Sequence, residues 1–402
     1  MITLLSLPAG LPSAAVVDLD AIRDNVAALN EHAGAAGVMA VVKGDGYGHG
    51  LVPSARAALA GGATWLGVAQ LSEGLELRAA GIEVAMLAWL TVPGDRYAEA
   101  VRAGIDLGVS ARWALDEVAA AAREVGQTAR IQLKLDSGLG RNGVTVHDWT
   151  DLVDAALKAQ ADGAVELVGA FSHYAWADAP QHPTVRAQTQ AFADALETAQ
   201  HRGARFQVRH LANSAATLTN PAVRYDLVRA GISVYGLSPV PELAGPAQFG
   251  LRPAMTLLAR VANVKRVGPG QGVSYGHAYH TPNETTLALL PVGYADGLPR
   301  HAGNTGPVLL AGRRYRLAGR VCMDQVVLDL GEPIDGPPAG PEDVRAGDVA
   351  VIFGAGTSGE PTAQDWADAA GTISYEIVTR IGSRVPRLYR GGDGPESWRG
   401  SA

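Results

Sequence analysis

The segment from Val38 to Gly50 puts a reactive group in a useful place. A strand-forming run, Val38–Val42, ends in Lys43 and breaks at once into Gly44-Asp45-Gly46-Tyr47-Gly48-His49-Gly50. Lys43 therefore stands at the carboxyl end of a buried strand. Burial disfavours its ammonium form, so the amine becomes a usable base or nucleophile. The glycines let backbone approach a phosphate closely, although Gly48 also suits a plain turn. A desolvated lysine beside a phosphate loop points to a Schiff base with pyridoxal phosphate (PLP). Taken alone, the segment equally suits a lysine whose stem snorkels before an ordinary strand-to-helix loop.

More polar residues follow apolar runs further on. Lys134, Asp136 and Arg141 lie in or after Arg130–Leu135, and His173 follows Leu167–Ser172. His210, Asn213 and Ser214 follow Gln207–Leu211 or lie at its end, and Arg229 follows Asp226–Val228. The elements that must position them alternate. The other runs are Trp65–Ala69, Val84–Ala88 and Asp106–Val109, with amphipathic stretches such as Ala111–Val125, Asp148–Gln160 and Val185–Arg202 between. Eight strand-helix units are what a (β/α)8 barrel needs, and its working residues gather at the carboxyl ends of the strands. A doubly wound sheet would carry a different Gly-rich loop after its first strand. Ser214 reads as an N-cap for the residues after it, and Arg229-Ala230-Gly231-Ile232 offers backbone N–H groups to a phosphate.

Past about Phe249 the texture turns to short β-rich runs: Met255–Val264, Thr286–Pro291, Val308–Leu310, Tyr315–Ala318, Gln325–Leu330 and Asp348–Phe353. One helical pattern remains, Thr362–Ile381. The expected fold class is α/β, an N-terminal (β/α)8 barrel over residues 1–240 and a mostly β domain over 241–402. The first residues are available to pair with the β domain, and the Pro-rich stretch Pro239–Pro246 is the expected linker.

Of the 402 residues, 47% are hydrophobic and 18% charged, which favours a large-cored enzyme over a disordered chain. A net charge of −7 with no basic run leaves no footprint for nucleic acid. No apolar run is long enough to span a bilayer, and the Pro-interrupted N-terminus reads as structural rather than as a signal peptide. Cys322 is the single cysteine, so no internal disulfide forms and the expected location is the cytoplasm. Cys322, Trp89, Trp113, Trp149 and Trp366 read as packing residues. His182, His277 and His280 have no metal-ligand spacing, and no metal is expected.

Ordered motifs then resemble those of the alanine racemases. Val42–Gly50 resembles the family's PLP-lysine motif, and Leu133–Arg141, Phe171-Ser172-His173 and His210–Ala216 resemble the motifs that follow it. Val228–Ile232 with Tyr235-Gly236, Val273–Gly276, Val292–Gly297, Gly319–Gln325, Tyr375–Ile377 and Arg384–Arg387 complete a series covering nearly the whole chain. Gly44 and Gly46 replace usual alanines, which should loosen the loop. Ala230 replaces a usual proline, and Leu139 a frequent methionine.

The resemblance implies a PLP-dependent homodimer interconverting L- and D-alanine, and so supplying D-alanine for peptidoglycan. It implies that Lys43 holds PLP and faces the α-proton of the D-antipode, while Tyr275 of the partner subunit faces that of the L-antipode. Arg229 would lie against the pyridine nitrogen and His173 against the ring. Arg141 and the backbone of the partner's Met323 would hold the substrate carboxylate. Tyr47, Ser214, Gly231, Ile232 and Tyr375 would surround the phosphate, and Lys134 is a position that bears a carbamate in many relatives. Racemisation needs a base on each face of a planar carbanion, and lysine and tyrosine supply two different ones. Rival readings are a PLP racemase for another amino acid, such as serine, and a silent PLP-binding protein. The Tyr275 segment argues against silence.

Overall fold

The computed structural model describes residues 7–338 and 343–392. The first six residues of the stretch read as structural lie outside them. Two compact units emerge. One takes Ile22–Gly46 and Leu51–Leu251; the other takes the remaining described residues, Tyr47–Gly50 among them.

After a first strand, β1 (Ser13–Asp18), the eight runs form parallel strands. They are β2 (Gly37–Val41), β3 (Trp65–Val68), β4 (Ala85–Ala88), β5 (Asp106–Val109), β6 (Ala129–Lys134), β7 (Val165–Phe171), β8 (Val208–His210) and β9 (Leu227–Ala230). Each pairs with the next up to β8, and β2 also pairs with β9. At the remaining seam, Asp226 N donates to Arg209 O at 3.1 Å and Arg229 N to Ala212 O at 2.9 Å. The result is a nearly closed (β/α)8 barrel. Its helices follow from sequence pattern. Arg112–Val125 buries Ala114, Leu115, Val118, Ala119, Ala121 and Ala122, then stops at Gly126, whose φ of +67° suits glycine. Met39, Leu87, Phe171 and Leu227 pack together from four barrel strands, with Trp65 and Trp89 against them.

The other unit holds β10 (Met255–Arg260), β11 (Asn263–Val267), β12 (Gly272–Val273), β13 (Tyr279–His280), β14 (Thr285–Leu290), β15 (Pro307–Leu310), β16 (Arg313–Leu317), β17 (Val326–Pro333), β18 (Val349–Phe353) and β19 (Arg387–Arg390). Nine strands form one sheet in the order β11-β14-β17-β16-β15-β18-β10-β1-β19, with β1 antiparallel to β10 and parallel to β19. The apolar run Met255–Val264 is two strands, β10 and β11, broken at Val261-Ala262. The helical pattern at the end also divides. Thr362 and Asp365 cap Ala363–Ala370 reciprocally, and Gly371 at φ +67° ends it before Ser374–Thr379 begins. Trp149 and Trp366 are buried, each donating its indole N–H to a backbone carbonyl.

Candidate active site

Lys43 leaves the carboxyl end of β2 into a turn of unusual hand. Gly44, Asp45, Gly46 and Tyr47 have φ of +63°, +54°, +60° and +52°. Left-handed backbone costs an L-residue roughly 1–2 kcal/mol, so glycine at two of the four positions relieves strain where the sequence suggested looseness. A Cβ at Gly46 would also sit 2.7 Å from Ser54 Oγ. Hydrogen bonds hold the turn. Glu73 accepts from Gly44 N at 2.6 Å and, through its other oxygen, from Ala69 N and Gln70 N. Asp45 accepts from Leu51 N at 2.8 Å. Burial lowers the pKa of Lys43, Arg141 and Arg229 lower it further, and Glu73 opposes them. The amine lies 6.0 Å from the ring of Trp89, so that tryptophan packs directly beside the reactive group.

The other barrel cations are gathered with Lys43. Arg229 is buried and donates to the carbonyls of Ser172 (2.6 Å), His210 (3.0 Å) and Leu211 (3.3 Å). Its nitrogens also face His210 Nδ1 at 3.0 Å and His173 Nδ1 at 3.2 Å. Burial lowers the guanidinium pKa to about 9, which leaves it charged at neutral pH. Burial and the surrounding cations hold His173 well below its ordinary value, so it is neutral. Lys134 falls to about 8, chiefly by burial, then through Arg229, Arg141 and Lys43. Arg141 sits beyond a loop organised by Asp136, whose Oδ1 accepts from Gly138, Leu139 and Gly140 N. Those bonds outweigh burial and lower the Asp136 pKa.

Ser214 does not cap the helix Ser214–Thr219. Asn213 does, accepting from Ala216 N at 3.1 Å. Shifted one residue inward, Ser214 Oγ accepts from Gly231 N at 2.8 Å, joining the ends of two strands. Ile232 starts the 3-10 turn Ile232–Tyr235.

In the β-rich unit, the rings of Tyr47 and Tyr375 lie 6.4 Å apart. Gly48 is a close approach as well as a turn, because a Cβ there would meet Val378 O at 2.3 Å. Tyr275 begins the short turn between β12 and β13 and is 71% exposed; Met323 is 53% exposed. Ser274, just before Tyr275, has φ +63° and ψ −174°, a region that costs a non-glycine residue about 1–3 kcal/mol. Its hydroxyl donates to Arg320 O at 2.7 Å, and Cys322, half-buried, lies 3.2 Å from it.

Sequence reasoning missed three barrel residues. Glu73 sets the left-handed turn. Buried Gln188 ties two strand-end loops together, donating to His173 O at 3.0 Å after β7 and to Ser137 Oγ at 3.4 Å after β6. Gln132 sits beneath His210. Only Glu73, three residues after the N-cap Gln70, had a local signal, and that signal speaks of its own helix.

Four cations at one barrel mouth suit an anionic, aromatic cofactor with a phosphate and a ring nitrogen. Arg229 can only donate, which matches an unprotonated pyridine nitrogen. The donor set therefore fits PLP.

Fold and site define a barrel enzyme with an additional β domain and a depressed-pKa lysine at the end of a strand. Residues 17–239 match the family description alanine racemase, N-terminal domain, and residues 254–389 match alanine racemase, C-terminal domain. Alanine racemase of Frankia casuarinae is 58% identical over 95% of this chain and 98% of its own. That of Thermobifida fusca is 56% identical over 93% and 97%. The crystal structure of alanine racemase from Streptomyces lavendulae is 57% identical, covers 96% of this chain and 98% of its own, and superposes with a TM-score of 0.92. The chain belongs to the alanine racemase family.

Proposed function

We propose that this chain is a PLP-dependent homodimer that interconverts L- and D-alanine in the cytoplasm, supplying D-alanine for peptidoglycan. The observation that carries this reading is Lys43, a half-buried amine with a lowered pKa among cations at the carboxyl end of a barrel strand. No helix among the described residues is long and apolar enough to cross a membrane.

When bound, PLP supplies a carbonyl carbon that captures amines and a ring that shares carbanion charge. The protein's own residues do the rest. Lys43 Nζ, whose pKa burial lowers, takes or returns the α-proton on the face of the D-antipode. Tyr275 of the partner subunit does so on the opposite face. Arg229 would donate to the ring nitrogen and keep it unprotonated, which would limit charge delocalisation and favour racemisation over transamination. His173, neutral, would lie against the ring. Tyr47, Ser214, Gly231, Ile232 and Tyr375 hold the phosphate. Arg141 and the backbone of the partner's Met323 orient the substrate carboxylate. With a pKa of about 8, Lys134 has roughly a tenth of its amine free at pH 7. That neutral amine can bond to the carbon of CO2 and release a proton, and the resulting carbamate would orient Arg141.

The test is a D-amino-acid readout of the PLP-loaded protein against a panel of L-amino acids. Alanine should be turned over far faster than serine or any other. Preference for another amino acid would replace the substrate assignment, and no turnover of any would remove the racemase reading.

A further inference from the structure

Arg229 is a buried, donor-only cation, and among the described residues it has no salt-bridge partner. Its acceptors are neutral: three carbonyls and the Nδ1 atoms of His173 and His210. An imidazole can serve as acceptor only if that nitrogen carries no proton. Something must set the tautomer.

For His210 the agent lies deeper in the barrel. His210 Nε2 is 2.6 Å from Gln132 Oε1 on β6. Gln132 Nε2 donates to Asp106 Oδ2 at 2.9 Å, at the start of β5. The other oxygen, Oδ1, accepts from Arg130 Nε at 2.7 Å. The chain has one polarity. Burial raises the Asp106 pKa, but the ion pair with Arg130 and the Gln132 bond both favour its carboxylate, so both its oxygens accept. The face of Gln132 toward Asp106 must then be its NH2 group, and its carbonyl must face His210. His210 Nε2 must carry the proton, and Nδ1 presents a lone pair to Arg229. An amide flip would set an oxygen against a carboxylate.

The fold makes room for this line. The β6–β7 register shifts at Ile131/Gln132, and β7 has Gly169 beside the shift. A Cβ there would lie 3.2 Å from Gln132 Oε1 and 2.5 Å from Val208 O. Phe171 stacks on the His210 ring at 4.9 Å with planes 3° apart, fixing its tilt. His210, Gln132 and Asp106 are all buried, so water does not compete. Burial, with Arg229 adding, pushes the His210 pKa well down and keeps the ring neutral.

We propose that Gln132 and Asp106 are positioning residues that lock His210 as the Nε2–H tautomer and so aim the Arg229 guanidinium. The tautomer lock stands apart from the cofactor reading. Its consequence for PLP binding rests on that reading.

The experiment is 15N NMR of histidine-labelled full-length protein, with and without PLP. The His210 ring signals are identified by their loss in His210→Asn. The parent should show a neutral ring with Nε2 protonated and Nδ1 bare across pH 6–9. Gln132→Leu removes the acceptor, and its Nε2–H signature should be lost or mixed. Gln132→Glu should restore it. A glutamic acid can donate its own proton to Asp106 and still accept from His210. Titration of the PLP-free proteins should show about tenfold weaker cofactor affinity for Gln132→Leu, the worth of about one buried hydrogen bond, and near-parental affinity for Gln132→Glu. A parent ring protonated on Nδ1 would overturn the proposal even if neither variant folds. So would Gln132→Leu with an unchanged tautomer, or Gln132→Glu behaving like Gln132→Leu. An altered tautomer with unchanged PLP affinity would uphold the lock, and overturn its link to the cofactor.

Discussion

The barrel mouth and the Tyr275 turn, which hold the two proposed bases, are opposite settings. At the mouth, Lys43, Lys134, His173 and Arg229 influence one another's charge, and loops tied down by Glu73, Asp136 and Gln188 surround them. Tyr275 stands 71% exposed on a two-strand hairpin, preceded by a strained serine. One region tunes its groups by burial. The other leaves its group exposed. In the proposed mechanism a single fold separates pKa tuning from base delivery: cation crowding tunes the lysine at the mouth, and a second copy of the chain brings the exposed tyrosine.

The largest effect that can break the comparison is at Lys43. Lys43→Ala should lower racemisation in both directions by at least about 10²–10⁴-fold, the range of a positioned acid-base group. Borohydride should attach PLP to the Lys43 peptide of the parent. Attachment at Lys134 or Lys265 would move the site.

Tyr275→Phe should lower overall turnover in both directions alike, since the equilibrium constant of one ties the two. In deuterated water, α-exchange of D-alanine should survive better than that of L-alanine. Equal loss of both would end the face assignment. Because the ring is exposed in the isolated chain, unfolding free energy of that chain should shift by no more than about 0.5 kcal/mol.

Lys134→Met sharpens the contrast on stability. The folded amine titrates near 8 against an ordinary 10.5, so the folded state binds fewer protons between those values. Below pH 8 the parent bears the full cost of a buried cation, and its stability rises with pH through that window. With CO2 excluded so that Lys134 stays a free amine, the methionine variant of the PLP-free protein should gain roughly 1–3 kcal/mol at pH 6–7, and the gain should shrink above pH 8. Denaturant melts across pH would measure it. A pH-independent gain would mean packing rather than charge.

Much of this was legible in the sequence for a geometric reason. Barrel strands all end at one mouth, so polar residues just after apolar runs, such as Lys43, His173 and Arg229, had to share it. The eight runs and the β-rich texture past Phe249 carried the fold in the same way. What escaped depends on long-range contact or on one residue of backbone register. Glu73 meets Gly44 across 29 residues, and Gln132 meets His210 across 78. Asn213 rather than Ser214 caps its helix, a one-residue shift that frees Ser214 for Gly231. The left-handed run after Lys43 needs five consecutive positive φ values, from Gly44 to Gly48, and only its three glycines hinted at it.

The central claim is that each active site is shared, with Lys43 in one subunit and Tyr275 of the partner subunit opposite it. Two inactive proteins, Lys43→Ala and Tyr275→Ala, can be mixed under conditions that exchange subunits. In a mixed dimer one site then carries both lesions and the other none. Random exchange makes about half the dimers mixed, so about a quarter of parental activity should return. If both bases came from one chain, every site would keep a lesion. No recovered activity, with exchange shown by an independent tag, would contradict the account.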